Sequence, residues 1–95
     1  MKDEYKIQTD NFRGEYIVVY SEITDKHDLR EITLEVDFEK SFFNSIPFRK
    51  RKVIIYADDL LAWNFGRELT LQEYSRVLKR IFSHLQKAGF EVSIR

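Results

Sequence analysis

Cysteine is absent from the 95-residue chain, which excludes a disulfide framework, a zinc–thiolate centre and a thiol nucleophile. The two histidines, His27 and His84, are too few for a histidine-built metal site. One proline (Pro47) and three glycines (Gly14, Gly66, Gly89) leave room neither for a flexible linker nor for a phosphate-cradling glycine loop. No apolar run approaches the roughly 20 residues of a membrane helix. The N-terminal residues carry no apolar signal-like core, so a reducing cytoplasm is the expected compartment. No internal repeat or low-complexity stretch appears, no cofactor is expected, and nothing in the pattern marks an enzyme.

An excess of one charge is also missing. Sixteen Lys and Arg balance sixteen Asp and Glu. The balance conceals a division: residues 1–47 hold six basic and eleven acidic side chains, residues 48–95 ten basic and five acidic. A nucleic-acid module usually carries surplus positive charge, so that role would need a local basic patch. A dipolar surface suits a charged protein partner, whose approach it can steer.

At 95 residues with 43% hydrophobic content, the chain fits one α+β domain over residues 1–95. Residues 5–9 read as a short strand, and 11–14 as a turn. Glu15 to Ile23 reads as a strand whose apolar residues (Tyr16, Ile17, Val18, Val19, Tyr20) do not alternate, so both of its faces are expected to be covered. A polar loop follows at 24–28. Residues 31–39 alternate cleanly: Ile32, Leu34, Val36 and Phe38 on one side, Glu31, Thr33, Glu35, Asp37 and Glu39 on the other. Residues 41–51 form a connection holding Phe42, Phe43 and Phe48. Lys52 to Ala57 reads as an inner strand, Asp58-Asp59 as a turn, and 60–63 as a segment that pairs back.

The helix has the most complete signature. Thr70 and Glu73 form a capping box. Tyr74, Val77, Leu78, Ile81, Phe82, Leu85 and Ala88 recur at the spacing of one buried face, and Gly89 stands where a left-handed residue ends a helix. Phe90, Val92 and Ile94 then alternate in a final strand. The expected architecture is a mainly antiparallel sheet of four to five strands, with one long C-terminal amphipathic helix on one face and a last strand after it.

Three groups of residues carry possible chemistry. Glu31, Glu35, Asp37 and Glu39 make an acidic strip along one strand face, a surface that either resists edge-to-edge association or docks a basic protein. Asp58, Asp59 and Trp63 form a second candidate contact patch, although Trp63, with Leu60 and Leu61 beside it, is better suited to plug the core beneath the helix start. Arg49, Lys50, Arg51 and Lys52, flanked by Phe48 and Tyr56, could grip a single-stranded phosphate backbone, with Arg76, Lys79, Arg80, His84 and Lys87 adding to a basic surface. This nucleic-acid reading is the alternative to a protein-binding one.

Two resemblances bear on the choice. Tyr56-Ala57-Asp58-Asp59 after an apolar strand resembles the metal-binding box of reverse transcriptases, which would make Asp37, Asp58 and Asp59 ligands of divalent metal. Only twenty residues separate Asp37 from Asp58, too few for the helices and template grip that a palm places there, and no metal site is expected. Residues 52–95 also resemble small immunity proteins of bacterial polymorphic-toxin and contact-dependent growth-inhibition systems. The shared features are an apolar strand ending in Tyr56-Ala57-Asp58, a tryptophan shortly after, a threonine-capped amphipathic helix, then Gly89 and a strand. That resemblance implies a cytoplasmic protein without catalytic residues that binds and blocks a cognate toxin. The acidic strip suggests that this toxin is a basic nuclease domain.

Overall fold

In the computed structural model, residues 4–12, 15–23, 29–38 and 51–95 are described. The expected loops at 13–14 and 24–28, the connection up to residue 50 with Phe42, Phe43 and Phe48, His27 and the acidic Glu39 lie outside them. Five strands, β1 (Glu4–Phe12), β2 (Glu15–Ile23), β3 (Leu29–Phe38), β4 (Lys52–Ile55) and β5 (Glu91–Ile94), lie side by side in chain order. β1 to β4 are antiparallel, and β4 pairs with β5 in parallel. The parallel step requires a crossover, which the helix α1 (Leu71–Lys87) supplies. The α+β expectation and its final strand therefore hold.

Cross-strand register fixes which side chains share a face. Tyr16↔Val36, Val18↔Leu34 and Tyr20↔Ile32 stand opposite one another on β2 and β3, and Val53↔Val92 on β4 and β5. These rows point toward α1. Val18, Tyr20, Leu34, Val36, Val53 and Ile55 are buried there against Val77, Ile81 and Leu85 of the helix. Tyr16, Phe38 and Phe90 close the β3–β4 end of the core as edge-to-face and tilted pairs 5.5–6.0 Å apart.

The helix ends are satisfied as the sequence predicts. Thr70 Oγ1 accepts from the Glu73 N–H at 3.1 Å, and Glu73 Oε1 accepts from the Thr70 N–H at 2.8 Å. At the other end Gly89 adopts φ +97°, its N–H donates to the Gln86 carbonyl, and the Phe90 N–H donates to Leu85. That paired reverse bonding stops the helix and turns the chain into β5. Ala88, expected on the buried face, is instead the exposed cap residue, and Phe82 is half-buried, at the flank of the apolar stripe.

Three further expectations need correction. β1 runs through Asn11 and Phe12, expected in a turn, because each pairs with β2. The expected cover on both sides of β2 does not extend to its end: its even-numbered residues face the helix, and on the other side Ile17 and Val19 are half-buried but Ile23 is exposed. Residues 60–63 form no full strand: between the short 3-10 turns Ala57–Leu60 and Asn64–Gly66, residues 61–63 pair back only onto 67–69, at the bridge Ala62↔Glu68, where the Leu69 N–H donates to the Leu61 carbonyl at 3.0 Å and the Trp63 N–H to the Arg67 carbonyl at 2.6 Å. The 3-10 turns lie along β3 beyond its contact with β4, where the Asn64 side-chain carbonyl accepts from the Glu31 N–H at 3.2 Å. A polar side chain thus does the work of a neighbouring strand.

Candidate partner interface

Opposite α1 the sheet presents a second face, and among the described residues no helix lies on it. Register assembles that face in rows: Asp10, Ile17 and Glu35; Gln8, Val19 and Thr33; Lys6, Ser21 and Glu31; Glu4, Ile23 and Leu29. The apolar residues of β2 run down the middle, with acidic groups on both flanks. Within β1–β3 the described side chains on this face include six carboxylates (Glu4, Asp10, Glu15, Glu31, Glu35, Asp37) against one cation, Lys6, a net of −5. Ile23 and Leu29 are 44% and 58% exposed, so the apolar strip reaches solvent at one end.

The structure thus brings Glu31, Glu35 and Asp37 together on one face, beside the half-buried Ile17 and Val19 and the buried Ile54. Asp37 is further engaged: its carboxylate beside the Tyr56 hydroxyl raises the tyrosine pKa, with desolvation and the Asp59 charge acting in the same direction. Asp58 and Asp59 are both exposed on the 3-10 turn after β4. Asp58 also borders a separate shallow hollow of about 390 Å³, lined by Leu60, Leu61, Leu69, Leu71 and Tyr74 at the start of α1. Among the described residues no group of three or more carboxylates or histidines is arranged to hold a metal ion, so Asp37, Asp58 and Asp59 do not form the ligand set of a palm.

Trp63 takes the second of the two places open to it. At 2% exposure it is a core residue, 6.2 Å from the Tyr20 ring, and it is not part of the contact patch. Its indole lies near Glu73 and helps hold that carboxyl below the ordinary range, although its N–H does not reach normal hydrogen-bond geometry with it.

The basic candidates are dispersed. Arg49 and Lys50 lie outside the described residues. Arg51 places its guanidinium 4.0 Å from the centre of the Phe38 ring. Arg76 and Arg80, expected as part of a solvated basic helix surface, are bound inward instead. Arg76 Nη2 lies 2.6 Å from Glu22 Oε1, and Arg80 Nη1 lies 3.5 Å from Glu22 Oε2 and 2.9 Å from the Tyr20 hydroxyl. Lys79 and Lys87 are exposed and His84 is half-buried.

Glu22 is the feature that the sequence did not reveal. It is 2% exposed, on the helix-facing side of β2, and the Tyr20 hydroxyl donates to its Oε2 at 2.6 Å. Burial, and the carboxylate that accepts its proton's bond, push the Tyr20 pKa up to about 12 against the opposing pull of Arg80. Beside it Arg30 pairs with Glu73. Burial alone would push the Glu73 carboxyl up, but the Thr70 backbone N–H, the Trp63 indole and the Arg30 charge outweigh it and hold it low. One signal was available: Glu22 keeps the phase of Tyr16, Val18 and Tyr20, and Arg76 and Arg80 sit one helical turn apart.

No protein-family model matches the chain, and neither the curated proteins nor the solved structures compared with it give a significant match. Among the described residues no helix is long and apolar enough to cross a membrane.

Proposed function

We propose that this chain is an inhibitory binding protein of the immunity type, which neutralises a cognate toxin, a basic nuclease domain, in the cytoplasm of the cell that makes it. The carrying observation is the sheet face opposite the helix: an apolar strip, Ile17 to Ile23 with Leu29, solvent-exposed at the Ile23–Leu29 end and bounded by Glu31, Glu35 and Asp37. An apolar centre with a charged rim is how protein interfaces are built. A nuclease must be cationic where it holds a phosphate backbone, so a surface of the opposite sign can seat there and exclude the substrate. Inhibition by occlusion needs no catalytic group on the inhibitor.

The direct test is titration against the toxin domain encoded beside it. Replacing Glu35 and Asp37 together by lysine should weaken capture by about 100-fold or more, because each reversal exchanges attraction for repulsion across the interface. Both side chains are exposed, so circular dichroism should show the doubly substituted chain still folded. Unchanged affinity in a folded variant would remove this face from the interface. No complex at micromolar concentration, with no protection of cells, would remove the function.

A further inference from the structure

Among the described residues β1 is an outer strand of the sheet, and its outer side is patterned. Its inner side pairs with β2 along all nine residues, Glu4↔Ile23 to Phe12↔Glu15, with no slip in register. Its outer side meets no strand among the described residues. Of its described side chains, from Glu4 to Asn11, all but Ile7 are exposed. A regular nine-residue edge without proline offers a full row of N–H and C=O groups to another strand.

The side chains select what that strand is. An antiparallel neighbour must match residues of like parity, because only alternate backbone groups point outward. With Gln8 opposite Gln8 of a second copy, Glu4 meets Phe12, Tyr5 meets Asn11, Ile7 meets Thr9, and all nine residues are paired. Lys6 then faces Asp10 of the second copy, and Asp10 faces its Lys6, on the same side of the sheet. Neither charge has an ion-pair partner among the described residues of its own chain. Sliding by one pair in one direction sets Glu4 against Asp10 twice; sliding in the other leaves Lys6 opposite Phe12. A further step either way brings Lys6 onto Lys6 or Asp10 onto Asp10. The register that pairs the whole strand is therefore also the one that pairs its charges.

We propose that β1 joins two copies of this chain, antiparallel and centred on Gln8, into a dimer with one ten-stranded sheet. The two-fold axis stands perpendicular to the sheet, so both helices lie on one side and the two opposite faces become continuous. This edge is distinct from the face proposed to hold a toxin, and the dimer forms without any toxin.

Sedimentation equilibrium of the purified protein tests it. The expected species is about 23 kDa, twice the 11.5 kDa chain. Lys6→Glu and Asp10→Lys should each weaken association at least about ten-fold, since each turns two attractive cross-strand pairs into repulsive ones. An equimolar mixture of the two variants should recover the dimer. The carboxylate introduced at position 6 of one copy then faces the amine introduced at position 10 of the other, and the native Asp10 and Lys6 that remain face each other. In this cysteine-free chain, Gln8→Cys should be trapped as a disulfide dimer under mild oxidation, its two copies lying across about 4.5–5.5 Å of backbone. Glu4→Cys, whose counterpart lies at the far end of the strand, should not. A wild-type protein that stays monomeric at millimolar concentration, folded variants that associate as well as wild type, or a mixture that stays dissociated would each overturn the proposal.

Discussion

Replacing Glu22 by alanine removes the acceptor on which two guanidinium groups and a phenol converge. Its carboxylate is 1% exposed and is approached by Arg76 at 2.6 Å, Tyr20 at 2.6 Å and Arg80 at 3.5 Å. Breaking a buried ion pair by deleting one member costs about 3–5 kcal/mol, mostly from the charge left behind. Here the stranded arginines retain 31% and 24% of their side-chain surface, so both regain part of their hydration. The expected loss is at the lower end, about 3 kcal/mol. For a domain of this size that is roughly 12–24 °C in melting temperature. The assay is urea unfolding followed by the fluorescence of Trp63, the sole tryptophan, which is buried beside Tyr20. Glu22→Gln, which keeps the volume and one acceptor oxygen, should lose less than alanine does. In a background where Arg76 and Arg80 are already leucine and methionine, the same alanine substitution should cost far less. A loss under about 0.5 kcal/mol in the wild-type background, or an equal loss in both, would refute the view that charge coupling holds the helix to the sheet here.

Two further measurements follow from the same region. The Tyr20 pKa is raised in the folded state, from an ordinary 10 to about 12, so its contribution is whole below pH 10 and is lost as pH climbs toward 12. Stability followed across that window should fall in the wild type and lose that component in Tyr20→Phe; identical alkaline profiles would contradict the assigned hydrogen bond. Thr70→Ala removes the acceptor for the Glu73 N–H and should cost about 1 kcal/mol in urea unfolding, with amide exchange speeding first at the start of the helix. Uniform exchange would mean that the cap does not limit fraying there.

Much of the architecture could be read from periodicity. The strict alternation of 32–38 identified the buried side of β3, and the capping box and Gly89 bounded α1 to within a residue. β2 was less legible because Tyr16 to Tyr20 are apolar at both parities, so pattern alone could not say which side faces the helix. Residues 60–63 looked like a strand because they are apolar. They serve instead to flank the part of β3 that β4 does not reach, a role set by tertiary placement. The acidic strip of β3 was plain in the sequence, but its apolar neighbours on β2 joined it only once the register was known. Glu22 and its arginines were hidden for a different reason: a polar residue at an inward position, and cations beside an apolar helix stripe, each look solvated until strand and helix are laid together.

The contact between β3 and β4 is short. Among the described residues only Asp37↔Ile54 and Phe38↔Val53 pair across it, whereas β2 and β3 pair over eight. Two rungs give little resistance to twisting, so α1, lying across that seam, adds to its stiffness together with the Tyr16, Phe38 and Phe90 cluster. The helix helps to hold the three-stranded ribbon and the parallel pair at a fixed angle. Loosening the clamp at Glu22 would then let the ribbon flex like a leaf on a narrow joint, bending the acidic face of the sheet and its β1 edge without altering a single residue in either.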